Sequence, residues 1–173
     1  MAHVSCVKRL RREMKNIKTD QDPNILLRPD EDDIRNWKAF IRGPPDTAYE
    51  GANPLLRLAP ARLHAGVFEL KITVGQQYPM SPPAMEFVTK VFHPNVHFDT
   101  GEICLDILKK EWSPAWSLQG ACRAILALLS DPAADSPLNC DAGNMVRAGD
   151  LRAFASMARM YRLEYAQDRG QIP

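Results

Sequence analysis

Near the start of the chain, Val4, Val7, Leu10, Met14 and Ile17 recur at spacings of three and four. That spacing gathers them into one stripe of an α-helix. Lys8, Arg9, Arg11, Arg12, Lys15 and Lys18 cover the other faces, either as a solvated surface or as a docking face for an acidic partner. The rhythm then shortens to two. Ile25 to Arg28 is a brief apolar run, followed by the acidic turn Asp30 to Asp33. Trp37, Ala39 and Ile41 alternate up to a Gly43-Pro44-Pro45 stop, and Phe68, Leu70, Ile72 and Val74 alternate with Glu69, Lys71 and Thr73. Met85 and Phe87 mark a fourth strand. Short links between consecutive strands predict an antiparallel meander.

Helical spacing returns after Ser117, a suitable N-cap. Leu118, Ala121, Cys122, Ile125, Leu126 and Leu129 form a broad apolar face that Asp131-Pro132 ends. A short helix is expected around Ala142 to Ala148. Asp150 caps a last one, with Leu151, Phe154, Ala158, Tyr161 and Tyr165 on one side. Helix, strands, a long loop and helices predict an α+β domain, with helices gathered on one side of the sheet. The expected organisation is a single core over 1–168 and a disordered tail over 169–173. Ala52 to Ala65 interrupts it, with four Leu and four Ala broken by Pro54 and Pro60. It reads as an insertion in a strand–strand loop, either a partner-binding elaboration or sequence that the mature protein lacks.

Composition changes little in this picture and excludes several function classes. With 45% hydrophobic and 25% charged residues and a net charge of +1, nothing predicts nucleic-acid binding. No apolar run reaches the roughly 18 residues of a membrane span, so direct membrane insertion is not expected. Met1 to Met14 holds no apolar stretch of signal-peptide length, so a secretory signal is not expected. The cysteines Cys6, Cys104, Cys122 and Cys140 form no C-x-x-C pair, so no metal site is expected. Cys6, Cys122 and Cys140 read as small buried hydrophobes.

Cys104 differs because it lies in a non-periodic stretch between Tyr78 and Trp116 that carries Pro79, Pro82, Pro83, Pro94 and Pro114. Loops this long in a compact domain are usually functional. A thioester carrier needs an accessible thiol, a donor for the oxyanion formed when an amine attacks, and no strong base that would also activate water. Gly101 lets the chain turn just before Cys104. Asn95 offers a neutral side-chain donor that cannot act as a base. His93, held extended by Pro94, is expected to lock the loop rather than to react. The rival role for His93 or His97, as the base of a cysteine hydrolase, sets the histidine too close along the chain to Cys104.

Val91 to Leu118 resembles the ubiquitin-conjugating enzyme family. His93-Pro94-Asn95 matches the family's HPN signature, and Asn95 stands nine residues before Cys104. Gly101-Glu102-Ile103-Cys104-Leu105-Asp106-Ile107-Leu108 matches the active-site segment, and Trp112-Ser113-Pro114-Ala115 the loop after it. Tyr78-Pro79 with Pro82-Pro83 matches the family's proline-rich turn. The resemblance implies that an activating enzyme, which consumes the ATP, passes ubiquitin to Cys104 as a thioester, with no cofactor in this chain. A substrate Lys or Cys then takes it, helped by a RING-type ligase. Asp135 and Ser136 match the acceptor gate, and which of them acts stays open. Arg9, Arg12, Met80, Pro114 and Ala115 match the ligase-docking surface.

Asp135-Ser136-Pro137 and the residues after it are most similar to the family's peroxisomal branch. That branch implies recycling of an import receptor and a membrane-anchored partner that holds a cytoplasmic enzyme at the peroxisome. The chain ends Gln171-Ile172-Pro173, without an S-K-L-type address. A general ubiquitin-conjugating enzyme for protein turnover, or a non-catalytic ubiquitin- or ligase-binding variant, is the alternative.

Overall fold

The computed structural model describes residues 2–51, 66–133, 135–167 and 172, with side chains from Cys6 onward. The elements are α1 (Ala2–Thr19), β1 (Ile25–Pro29), β2 (Asn36–Arg42), β3 (Val67–Thr73), β4 (Ala84–Phe87), a 3₁₀ turn (Asp106–Leu108), α2 (Leu118–Ser130), α3 (Cys140–Arg147) and α4 (Leu151–Tyr165). The strands form one antiparallel sheet in the order β1-β2-β3-β4, the expected meander.

The period-two pattern sets the register. Trp37, Ala39 and Ile41 pair with Ile72, Leu70 and Phe68 on one face. Leu70 and Ile72 pair onward with Phe87 and Met85. All of these are buried. A shift of one residue would turn the whole set to solvent, at about 1.5–3 kcal/mol per large side chain. On the other face Lys38 pairs with Glu69 and Lys71 with Glu86 at 3.4 and 2.9 Å. Those exposed pairs add little stability.

α2 lies against β1 and β2, and buries Leu118, Ala121, Cys122, Ile125, Leu128 and Leu129. Ser117 caps it as expected, accepting from the Gly120 amide at 3.1 Å. Asp150 caps α4 through the Ala153 amide. α3 starts at Cys140, earlier than the sequence suggests, because the Asn139 side chain accepts from the Ala142 amide.

Several expectations need correction. On α1 the inward face is Cys6, Leu10 and Glu13, with Met14 and Ile17 at its margin, so an acid sits where only apolar residues were expected. The side chain of Val4 lies outside the described residues. On α4, Leu151 and Tyr165 are 59% and 40% exposed, because Ala158 and Arg162 define the inward face instead. Cys140 is exposed rather than buried. It occupies the first helical position, and α3 turns Ala142 and Gly143 inward instead, with Pro137 against Gly143. In the tail expected to be disordered, Ile172 is buried, and its carbonyl accepts from Arg42 Nη2 at 3.2 Å. The insertion over 52–65 and the rest of 168–173 lie outside the described residues.

Candidate active site

Cys104 sits just after a tight reversal of the chain. Gly101 takes φ +73°, and a Cβ there would fall 1.9 Å from the Phe87 carbonyl oxygen. Only glycine fits that backbone at that distance. The reversal is closed by Gly101 N–H to the His97 carbonyl and His97 N–H to the Glu102 carbonyl, both 2.9 Å. The His97 ring accepts from the Asp99 and Thr100 amides at 3.3 Å. Pairing runs on through Val96 and Ile103 as far as Cys104, and the 3₁₀ turn then carries the backbone away. Cys104 is left half-buried, with its own amide donating to the Asn95 carbonyl at 2.8 Å.

The His93-Pro94-Asn95 tripeptide ties this loop to the helical side of the domain. His93 is fully buried. Its Nε2 donates to the Leu128 carbonyl on α2 at 3.0 Å, and its Nδ1 accepts from the Asn95 amide at 3.0 Å. The Pro94 carbonyl accepts from the Leu138 and Asn139 amides at 2.8 and 3.0 Å. The Asn95 side chain, 2% exposed, clasps Ala133 at two points. Its Nδ2 donates to the Ala133 carbonyl at 2.7 Å, and its Oδ1 accepts from the Ala133 amide at 2.9 Å. Asp135 and Ser136 are exposed, on a loop pinned to the tripeptide at both ends. Asn95 was expected as a neutral donor for an oxyanion, and the clasp on Ala133 is an addition that hydropathy could not reveal. Its signal is only that a buried amide must be paired.

The residues expected to dock a ligase separate into two groups. Met80, Pro114 and Ala115 are exposed, Met80 to 76%. They belong to two loops that touch, because the Trp112 indole N–H donates to the Pro79 carbonyl at 2.8 Å. Arg12 is exposed on α1. Arg9 instead turns inward. Its Nε donates to Glu13 at 2.6 Å, and its Nη1 and Nη2 donate to the carbonyls of Pro114 and Trp116 at 2.9 and 2.6 Å. Sequence reasoning missed Glu13 altogether, having read α1 as a plain apolar stripe. Among the described residues, no group of three or more His, Cys, Asp or Glu is placed to hold a metal ion.

Comparison with known proteins decides the family. A family model described as "Ubiquitin-conjugating enzyme" matches residues 9–162. The chain belongs to the ubiquitin-conjugating enzyme family. Such enzymes are transferases that work through a thioester. "Protein PEROXIN-4" of Arabidopsis thaliana is 52% identical over 155 residues, covering 88% of this chain and 90% of the relative. "Ubiquitin-conjugating enzyme E2 pex4" of Dictyostelium discoideum is 53% identical, with 88% and 94% covered. Among solved structures, the H. polymorpha ubiquitin-conjugating enzyme Pex4p, in complex with the soluble domain of Pex22p, superposes with a TM-score of 0.80. It is 35% identical, with 93% of this chain and 98% of that one covered.

In this ubiquitin-conjugating enzyme, His93 has both ring nitrogens committed, so neither is free to act as a base toward a neighbouring thiol. Burial lowers its pKa to about 4, although the bond to the Leu128 carbonyl works in the opposite direction. An unfolded histidine takes up a proton near pH 6.5. Between those values the unfolded chain binds more protons than the folded one, so stability falls as the pH drops through that window. The expected loss from His93 is about 2–3 kcal/mol between pH 7 and pH 4.5. Urea melts at the two pH values measure it. His93→Gln removes this component, and an unaltered pH slope in that variant would assign the loss to other groups.

Proposed function

We propose that this enzyme accepts ubiquitin on Cys104 from an activating enzyme and passes it to a Lys or Cys acceptor in the recycling of a peroxisomal import receptor. The observation that carries the peroxisomal part is the 52–53% identity, over 88% of the chain, to two relatives named as peroxin-4 proteins. A RING-type ligase docks on Arg12, Met80, Pro114 and Ala115. An anchor protein holds the enzyme at the cytosolic face of the peroxisomal membrane. The anchor is supported by the Pex4p structure, which is of a complex with the soluble domain of Pex22p. The chain needs no cofactor, since the activating enzyme spends the ATP.

Transfer begins with an incoming amine. Free lysine has a pKa of about 10.4, so almost all of it is protonated at neutral pH. Asp135 and Ser136, carried on the pinned loop, orient it at the entrance, and desolvation as the acceptor closes on the thioester favours the neutral amine. Attack on the thioester carbonyl places negative charge on its oxygen. The Asn95 amide has two hydrogens. One is spent on the Ala133 carbonyl, and the second is assigned to that oxygen. His93 keeps the loop in place, and its neutral, fully bonded ring leaves water without a base to activate it.

Two experiments test this reading. The protein mixed with activating enzyme, ubiquitin and ATP should form an adduct that a thiol reductant cleaves. No adduct would sink the conjugating role. In fractionated cells the protein should pellet with peroxisomal membranes and move to the cytosol when the anchor is removed. A cytosolic or nuclear distribution that ignores the anchor would favour a general role in protein turnover instead.

A further inference from the structure

Glu13 is an acid buried among apolar side chains, 3% exposed, on the inward face of α1. Its Oε1 accepts from Arg9 Nε at 2.6 Å and from the Tyr78 hydroxyl at 2.5 Å. Its Oε2 accepts from the Leu118 amide, at the start of α2, at 2.8 Å. Each donor belongs to a different segment, and two of the three lead to loops that carry exposed candidate docking residues. Tyr78 opens the proline-rich turn that presents Met80, and its ring lies 5.9 Å from that of Trp112. Arg9, held by Glu13, grips the Pro114 and Trp116 carbonyls on either side of Ala115. Leu118 fixes where that loop ends.

A buried ion pair is weak evidence for stability, because desolvating the charges offsets their attraction. Apolar residues in place of the whole set would serve the core as well, but an apolar residue at position 13 alone would strand the Tyr78 hydroxyl and the Leu118 amide. Only an acceptor on both oxygens can hold these three donors at once. Burial, followed by the neighbouring Glu13 charge, pushes the Tyr78 phenol pKa up, so the hydroxyl remains a donor. We propose that Glu13 is a positioning residue for ligase-assisted transfer: it holds the proline turn and the 112–116 loop in one fixed relation, so that a RING domain meets a preformed surface. Ordering two loops in advance removes that cost from binding. The proposal rests on the reading that a ligase docks on Met80, Pro114 and Ala115. It concerns how tightly the ligase engages, not the chemistry at Cys104.

Glu13→Gln tests it. Whichever way the amide is turned, its NH2 faces at least one of the three donors, so part of the joint is lost. Tyr78→Phe is the gentler variant, removing one donor and keeping the ring. Each is loaded with ubiquitin, and discharge to free lysine is followed alone and with rising amounts of a purified RING domain that accelerates the unaltered protein. The RING concentration for half-maximal acceleration should rise about tenfold in Glu13→Gln and about threefold in Tyr78→Phe. Unassisted discharge and the rate at saturating RING should stay within about twofold. An unchanged half-saturating concentration in folded Glu13→Gln overturns the proposal, and so does an equal fall in unassisted discharge. If Glu13→Gln fails to fold, Tyr78→Phe decides on the same two readings. The unaltered protein separates the levels: failure to take ubiquitin sinks conjugation itself, whereas a variant that loads and engages RING normally sinks only the role of Glu13.

Discussion

Replacing Cys104 with alanine should abolish the ubiquitin adduct, and replacing it with serine should leave an adduct that thiol reductant no longer cleaves. The first result follows because a methyl group offers no nucleophile. The second follows because a serine ester is not open to thiol exchange as a thioester is. Discharge to lysine should fall at least about a thousandfold in the alanine variant, since no covalent step remains. The other cysteines make the result informative. Cys6 and Cys122 are buried, and burial pushes the Cys122 thiol up to about 12, with Asp22 adding to the shift. Neither can present a thiolate to a partner protein. Cys140 is exposed at the start of α3, so it is the one other thiol that a large partner could reach. A reductant-labile adduct that survives Cys104→Ala and disappears on adding Cys140→Ala would move the nucleophile there. Gel analysis with and without reductant reads all of these outcomes.

The sheet was legible because alternation at period two has one physical cause, burial of one face. The β2 and β3 patterns therefore located the strands and their inward residues together. The helix starts were legible where the capping side chain was the residue just before the apolar run, as at Ser117 and Asp150. They were less so at α3, where Asn139 lies in a proline-containing loop. What hydropathy could not reveal were the polar groups paired inside the core. Glu13 and Arg162 occupy inward positions that a hydrophobic stripe assigns to apolar residues, and only partners distant in sequence, such as Tyr78 and Leu118 for Glu13 and the Gly51 carbonyl for Arg162, make that burial tolerable. The candidate site was legible for a different reason. His93, Asn95 and Cys104 lie within one short stretch of chain, so spacing alone nearly reports their proximity, whereas Asp135 and Ser136 come from beyond α2. The contacts from that stretch to Leu128, Ala133 and Leu138 link residues 35 or more positions apart in sequence, and no local pattern encodes them.

Asn95 carries the second large effect. Asn95→Ala should spare loading of Cys104 and slow discharge to lysine by on the order of 10²–10³, the ~3–4 kcal/mol expected of one oxyanion donor. The structure gives that substitution a second consequence. It also removes both bonds that clasp Ala133, and with them one of the two attachments of the loop carrying Asp135 and Ser136. The two causes separate by the nature of the acceptor. A lost oxyanion donor slows every nucleophile, because the charge develops on the thioester oxygen whatever attacks it. A loosened gate penalises a lysine amine, which must shed its proton, more than a small thiol that ionises readily in solution. Discharge of loaded Asn95→Ala to free cysteine and to free lysine therefore decides between them. Equal slowing assigns the effect to the oxyanion. Slowing confined to lysine assigns it to the clasp, and the amide would then act by holding the gate rather than by touching the reacting atoms. Normal discharge to both would remove the Asn95 side chain from the mechanism, and would leave the tripeptide to act through His93, the Pro94 carbonyl and the Asn95 backbone bond to Cys104.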